Sequence, residues 1–165
     1  MSIGSNLGDR HALLRSVPDA RGERVRAVSP VYETDPWGGV DQQAFLNAVV
    51  IADDDALDGR GWLRMAHQME RCAGRVRDRK WGPRSLDVDL VTCHQPDGEV
   101  LCDDATLTLP HPLAHRRAFV LVPWLAVDPE AKLTVSGVRH PVARLLADID
   151  PAQRFGVRPT SLVLT

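Results

Sequence analysis

The sequence predicts an α+β fold built on a mostly antiparallel sheet. Strand-like and helix-like segments alternate irregularly, not in a repeating βαβ series, and several strand-like segments are joined by links too short for a parallel crossover. The chain has 165 residues, 44% of them hydrophobic and 25% charged. That is enough apolar material for one self-sufficient core without disulfides or a structural metal, and too much for a disordered chain. A single domain over residues 1–165 is expected, with a weakly patterned tail from Pro151. No internal repeat or linker interrupts it.

Ile3-Gly4-Ser5-Asn6-Leu7-Gly8 reads as the end of a short strand running into a turn, with Gly4 and Gly8 as turn glycines. Asp9 can cap a helix that carries Leu13, Leu14 and Val17 on one face and ends near Gly22. Val25 to Tyr32 reads as extended, and Pro30 points to an edge or a bulge. Asp35-Pro36-Trp37-Gly38-Gly39 is a loop by composition. Phe45 to Ala52 is a strand, apolar except for Asn47. A helix from about Ala56 to Ala73 follows, with Leu57, Trp62, Leu63, Ala66, Met69 and Ala73 at helical spacing. Gly74 to Arg84 is a basic loop, and Ser85 to Thr92 a strand. Gln95-Pro96-Asp97-Gly98 turns into a short strand near Val100 to Cys102. After Pro110-His111-Pro112, Ala118 to Val127 reads as helical despite Pro123. Ser136-Gly137 marks a hairpin, and Val142 to Ala147 a last short helix.

The three cysteines cannot all pair and none stands in a C-x-x-C motif, so a reducing, cytoplasmic setting is expected. No apolar run approaches the ~20 residues of a membrane span, and no signal-peptide pattern opens the chain. The net charge of −2 is uninformative, but its distribution is not. Arg71, Arg75, Arg77, Arg79, Lys80 and Arg84 crowd one stretch, while Asp53, Asp54, Asp55 and Asp58 crowd another. An arginine-rich stretch fits a solvated face, and equally a phosphate-binding surface, because guanidinium forks match phosphate oxygens.

The strongest local signal is Ser85-Leu86-Asp87-Val88-Asp89-Leu90-Val91. On a strand, Asp87 and Asp89 project from one face while Leu86, Val88 and Leu90 pack on the other. Two such carboxylates repel unless a cation lies between them, and hard oxygen ligands without His or Cys suit Mg²⁺ or Mn²⁺. The alternation also fits aspartates that simply face water. The basic segment just before it favours the metal reading, since phosphoryl transfer needs metal on the phosphate oxygens and arginines on the developing charge. Trp81 suits stacking on a heteroaromatic ring or anchoring a lid, and Gly82-Pro83 sets a turn aiming Arg84 at the site. There is no G-x-x-x-x-G-K-[ST] or G-x-G-x-x-G loop, and His111 and His115 lack the glutamate of a zinc motif. Flanked by prolines, His111 suits a neutral donor to phosphate.

Lys80-Trp81-Gly82-Pro83-Arg84-Ser85-Leu86-Asp87-Val88-Asp89-Leu90-Val91 closely resembles the signature of the 6-hydroxymethyl-7,8-dihydropterin pyrophosphokinases of folate biosynthesis. Three further stretches agree in order: Ser2 to Gly8; Tyr32 to Gly38 with Gln42 and Phe45 to Ala48; and Leu109 to Pro112 with Arg117 and Phe119. The resemblance spans roughly residues 2 to 130. It implies a ferredoxin-like α+β domain that moves the diphosphoryl group of ATP to the pterin hydroxymethyl oxygen and releases AMP. On that resemblance Asp87 and Asp89 hold two Mg²⁺ ions, with Asp89 also accepting from the pterin hydroxyl. Thr34, Pro36, Trp37, Phe45 and Asn47 form the pterin pocket with Phe119 and Trp81, the two phenylalanines enclosing the ring. Glu70, Arg75, Trp81, Arg84, Thr108, His111 and Arg117 contact ATP, and Arg75 and Arg84 favour the transition state together with Asp89. The loops around Asp35 to Gln43 and Gly74 to Trp81 are expected to close over the ligands. The partners implied are these two small molecules, with no nucleic acid, no membrane and a monomeric chain.

Two other classes fit parts of the pattern. A metal-dependent phosphohydrolase or nuclease would use the same aspartates without a pterin. An RNA-binding module would want a basic balance and exposed aromatics, whereas the pI is about 6.3 and aromatics are 5%.

Overall fold

A computed structural model describes residues 1–36, 42–75 and 83–164. The chain opens with β1 (Ser2–Ser5) and α1 (Arg10–Arg21). Gly4 thus lies inside the strand and not in the turn. Asp9 caps α1 by accepting from the Ala12 N–H at 3.0 Å, and Leu14 and Val17 are buried beneath it. The segment expected to be one extended run from Val25 to Tyr32 is two strands, β2 (Val25–Val28) and β3 (Tyr32–Thr34). Both lie along the same edge of β4 (Phe45–Ala52), whose ends coincide with the apolar run. A bulge falls between Val25 and Ala27, and Pro30 sits in the break, where no ladder donor is needed.

α2 runs from Gly59 to Cys72, starting later than Ala56. The Asp54 carboxylate takes the Ala56 N–H at 3.1 Å, holding that stretch as a turn, and Asp58 then caps the helix through the Gly61 N–H at 2.7 Å. β5 covers only Asp87–Asp89, shorter than the expected strand to Thr92. It pairs with Ser2–Gly4 and then leaves the sheet, so that the Val91 carbonyl accepts from the His111 N–H at 2.9 Å.

The element order β1-α1-β2/β3-β4-α2-β5, with antiparallel sheet order β3-β4-β1-β5, is the ferredoxin-like arrangement expected. One face of the sheet (Ile3, Leu46, Ala48, Val50, Val88) packs on α1 and α2. The other carries Val49 against α3 (Ala118–Val127), which forms in spite of Pro123. Two short ladders, β6–β7 (His94–Gln95, Gly98–Glu99) and β8–β9 (Cys102–Asp103, Thr108–Leu109), follow β5. The hairpin β10–β11 (Lys132–Val135, Val138–Pro141) turns at Ser136 and Gly137, both at positive φ (50° and 78°), the type I′ geometry that matches strand twist.

α4 (Val142–Ala147) is not the last element. The tail after it forms α5 (Pro151–Phe155) and β12 (Val157–Pro159). β12 adds an outer strand to the main sheet by pairing with β3 (Val157 opposite Thr34, Arg158 opposite Glu33), and Leu164 is buried in the α1/α2 core. All three cysteines are free thiols, and no helix among the described residues is long and apolar enough to cross a membrane.

Candidate active site

Register decides which side chains meet. Gly4 of β1 lies opposite Asn47 of β4 on one side and Asp87 of β5 on the other, and Ser2 lies opposite Asp89. Tyr32 is opposite Asn47, and Thr34 opposite Phe45. Directly opposed residues share a face, so Thr34, Phe45, Asn47, Gly4, Asp87 and Asp89 all project to the same side. They border a cleft completed by Arg84, Arg117 and Phe119. Val88 points the other way and is buried. The two aspartates therefore stand side by side on one face.

At one end of the cleft, the Asn47 Nδ2 donates to Thr34 Oγ1 at 2.5 Å, both residues being buried. A Cβ on Gly4 would overlap the Asn47 amide oxygen. The glycine is thus required by the close approach of a neighbouring side chain, a role its reading as a turn residue missed. Asp35, Gln42 and Ser2 also border the cleft and were not singled out as site residues. Asn6, fully buried, donates to Gln42 Oε1 and the Gln43 carbonyl (3.1 Å each) while its Oδ1 accepts from the Arg84 N–H at 2.8 Å. Its burial as a polar residue was the missing signal, and burial is invisible in a single sequence.

At the other end, arginines surround the carboxylates. Arg75 reaches Asp87 Oδ1 at 2.5 Å and also pairs with Glu70, and Arg84 donates to Asp87 Oδ2 at 2.7 Å. Glu70 is buried beneath β5, where its Oε1 also accepts from the Val88 N–H at 3.1 Å. The sequence placed Glu70 on ATP, while here its carboxylate holds Arg75 and the strand. Arg117, buried at the start of α3, donates to Asp89 Oδ2 at 3.0 Å and lies 5.6 Å from the Phe119 ring centroid. Burial, reinforced by the Asp87 charge, pushes the Asp89 carboxyl above the usual range, opposed by His111 and Arg117.

His111 Nε2 stands 3.7 Å from Asp89 Oδ2. Its Nδ1 accepts from the Leu113 N–H at 3.1 Å, so a neutral ring carries its proton on Nε2, toward the carboxylate pair. Burial lowers its pKa, against the pull of Asp89, which favours that neutral form. Thr108 lies on the outlying β9, its hydroxyl 3.4 Å from Asp103, and does not border the cleft. Pro36 follows Asp35 at the cleft's edge. Trp37 and Trp81, and with them most of the two loops expected to close over the ligands, lie outside the described residues.

The sequence model of the 7,8-dihydro-6-hydroxymethylpterin-pyrophosphokinase family matches residues 1–129. The chain belongs to this family. A 2-amino-4-hydroxy-6-hydroxymethyldihydropteridine pyrophosphokinase of Mycobacterium bovis is 60% identical over 163 residues, covering 96% of this chain and 87% of the relative. Its counterpart from Mycobacterium leprae is 58% identical over 170 residues, covering 99% and 89%. That of Methylorubrum extorquens is 39% identical over 149 residues, covering 88% and 91%. Family membership turns the resemblance carried by the Lys80–Val91 segment into a finding that spans residues 1–129.

Proposed function

We propose that this cleft carries the family's reaction, transfer of the diphosphoryl group of ATP to the hydroxymethyl oxygen of 6-hydroxymethyl-7,8-dihydropterin, with release of AMP, in folate biosynthesis. The observation that supports it best is the shared face: an amide–hydroxyl pair suited to a pterin edge and a guanidinium-ringed carboxylate pair suited to a metal-bound triphosphate border one cleft.

Asn47 and Thr34 offer hydrogen-bonding groups to the pterin ring, with Phe45 and Phe119 as its apolar walls and Pro36, Trp37 and Trp81 as further contacts. Two carboxylates that leave most of the coordination shell to water and phosphate suit Mg²⁺, whereas zinc would want nitrogen or sulfur ligands. Asp87 and Asp89 would hold two Mg²⁺ ions, which when bound neutralise the phosphate oxygens and orient them. Arg75, Arg84 and Arg117 pair with carboxylates in this structure, and with Mg²⁺ held by the aspartates these guanidiniums would serve the diphosphate instead. The His111 Nε2–H donates to the phosphates, and Glu70 acts on ATP indirectly by holding Arg75, whereas Thr108 stands outside the cleft. The pterin hydroxymethyl oxygen, hydrogen-bonded to Asp89, attacks the β-phosphorus in line as the bond to AMP breaks. Catalysis is then positioning plus charge stabilisation. We assign the chain to the cytoplasm, as a monomer acting on small molecules.

A phosphohydrolase has no use for the Asn47–Thr34 end of the cleft, and nothing in the family points to one. The test is incubation with ATP, Mg²⁺ and hydroxymethyl-dihydropterin. AMP forming only when the pterin is present is the expected result, and phosphate release from ATP without it would overturn the assignment.

A further inference from the structure

We propose that the strand added by the C-terminal tail is a positioning element of the pterin pocket, with Arg158 holding the Glu33–Asp35 edge so that Thr34 faces Asn47. The inference rests on the pocket reading above and extends it to an element about 120 residues downstream of Thr34, outside the residues matched by the family model.

The geometry of β3 carries the argument. Side chains alternate along a strand, so Thr34 can face the cleft only if Glu33, its neighbour within β3, faces away from it, while Asp35, just past the ladder, borders the cleft and reaches back to the tail. β3 is three residues long, and the ladder stops at its last residue, before Asp35 and Pro36. A strand this short is poorly determined by its own pairing with β4, and a slip of one residue would turn Thr34 away from Asn47. β12 closes the other edge. Arg158, opposite Glu33, reaches Asp35 Oδ1 at 2.9 Å and Glu33 Oε1 at 3.7 Å. The Asp35 N–H donates to the Gly156 carbonyl at 3.1 Å, one residue beyond the ladder. Just before β3, the Thr160 N–H and Oγ1 both donate to the Val31 carbonyl, at 3.0 and 2.8 Å. From the α1 side, Arg10 approaches Glu33 Oε2 at 3.5 Å. The residues on either side of Thr34 are therefore each held by the tail strand.

Gly156 belongs to the same device. A Cβ there would come within 3.0 Å of Asp35 Oδ2, so the tail leaves room for the carboxylate to fold back onto Arg158. Because the Arg158 and Asp35 side chains are 46% and 64% exposed, their ion pair adds little to global stability. Its effect is on direction, which makes it separable from folding.

The experiment uses the full chain with Arg158→Ala, Arg158→Lys and Gly156→Ala, measuring KM for each substrate, kcat and Tm. Arg158→Ala and Gly156→Ala should raise KM for the pterin roughly threefold to fivefold, with KM for ATP unchanged within about twofold and Tm little moved. Arg158→Lys should recover most of the loss, and Asp35→Ala combined with Arg158→Ala should be no worse than either alone. An unchanged pterin KM, or equal changes for both substrates with a falling Tm, would overturn the proposal. Asn47→Ala runs alongside. If it weakens pterin binding while the Arg158 variants do not, the tail has no positioning role but the pocket stands. If neither affects the pterin, the pocket assignment fails and the inference with it.

Discussion

Replacing Gly4 by alanine places a methyl group where the Asn47 amide oxygen now lies. The glycine φ is not positive, so the backbone itself tolerates alanine, and a strand gains about 0.5–1 kcal/mol when glycine is removed. The collision is therefore with the side chain. The Asn47 amide must rotate, which breaks its 2.5 Å bond to Thr34 Oγ1 between two residues only 4% and 2% exposed. Leaving buried polar groups without partners costs about 1–3 kcal/mol. The net loss is about 1–2 kcal/mol, a fall in Tm of roughly 2–8 °C for a chain of this size. The functional effect should be larger and one-sided, since the misplaced amide is the group proposed to meet the pterin. KM for the pterin should rise roughly tenfold or more, the worth of one buried hydrogen-bonded contact. KM for ATP should hold within about twofold. Thermal melts and steady-state kinetics with each substrate varied in turn are sufficient. A Gly4→Ala enzyme with wild-type Tm and pterin KM would refute the claim that the bare central strand exists to seat Asn47.

Asp87→Asn keeps the side chain's shape but removes the charge that faces Arg75 and Arg84, so kcat should fall at least roughly a hundredfold while circular dichroism stays native. Near-normal turnover with an unchanged Mg²⁺ requirement would refute the metal assignment. Arg84→Ala should depress kcat more than the affinity for either substrate, and the reverse pattern would make it a binding residue. Asp54 gives a pH prediction. Its hydrogen bond from Arg21 holds its carboxyl below the ordinary 3.8, so the folded state binds that proton less readily than the unfolded chain. Its contribution to stability is full above about pH 4 and is lost as the pH falls through the carboxylate range. Melts of Asp54→Asn from pH 5 to 2 should show a shallower acid decline than wild type, and parallel curves would refute the linkage.

Where pattern and physics are local, the sequence is readable. Phe45 to Ala52, Ala118 to Val127 and Val142 to Ala147 form their elements with the expected ends, and Asp87 and Asp89 share a face because alternation leaves no other option. What escaped depends on partners distant in sequence. β5 stops at Asp89 because His111 captures the Val91 carbonyl. β12 escaped because Val-Arg-Pro has little strand signal until β3 offers an edge. Gly4 was misjudged because its requirement comes from Asn47, 43 residues away. The orientation of His111 hangs on the Leu113 N–H, a contact that exists only once the Pro110–Pro112 turn has formed.

The bare stretch of β1 between the two functional columns also acts as a ruler. Asn47 and Asp87 both pair with Gly4, so the anchors proposed for the acceptor and the donor stand two interstrand steps apart, roughly 10 Å, a length set by main-chain ladders and not by side-chain conformers. Any adjustment of reach between the two bound molecules must therefore come from the arginines and the connecting segments, because the baseline beneath them cannot stretch.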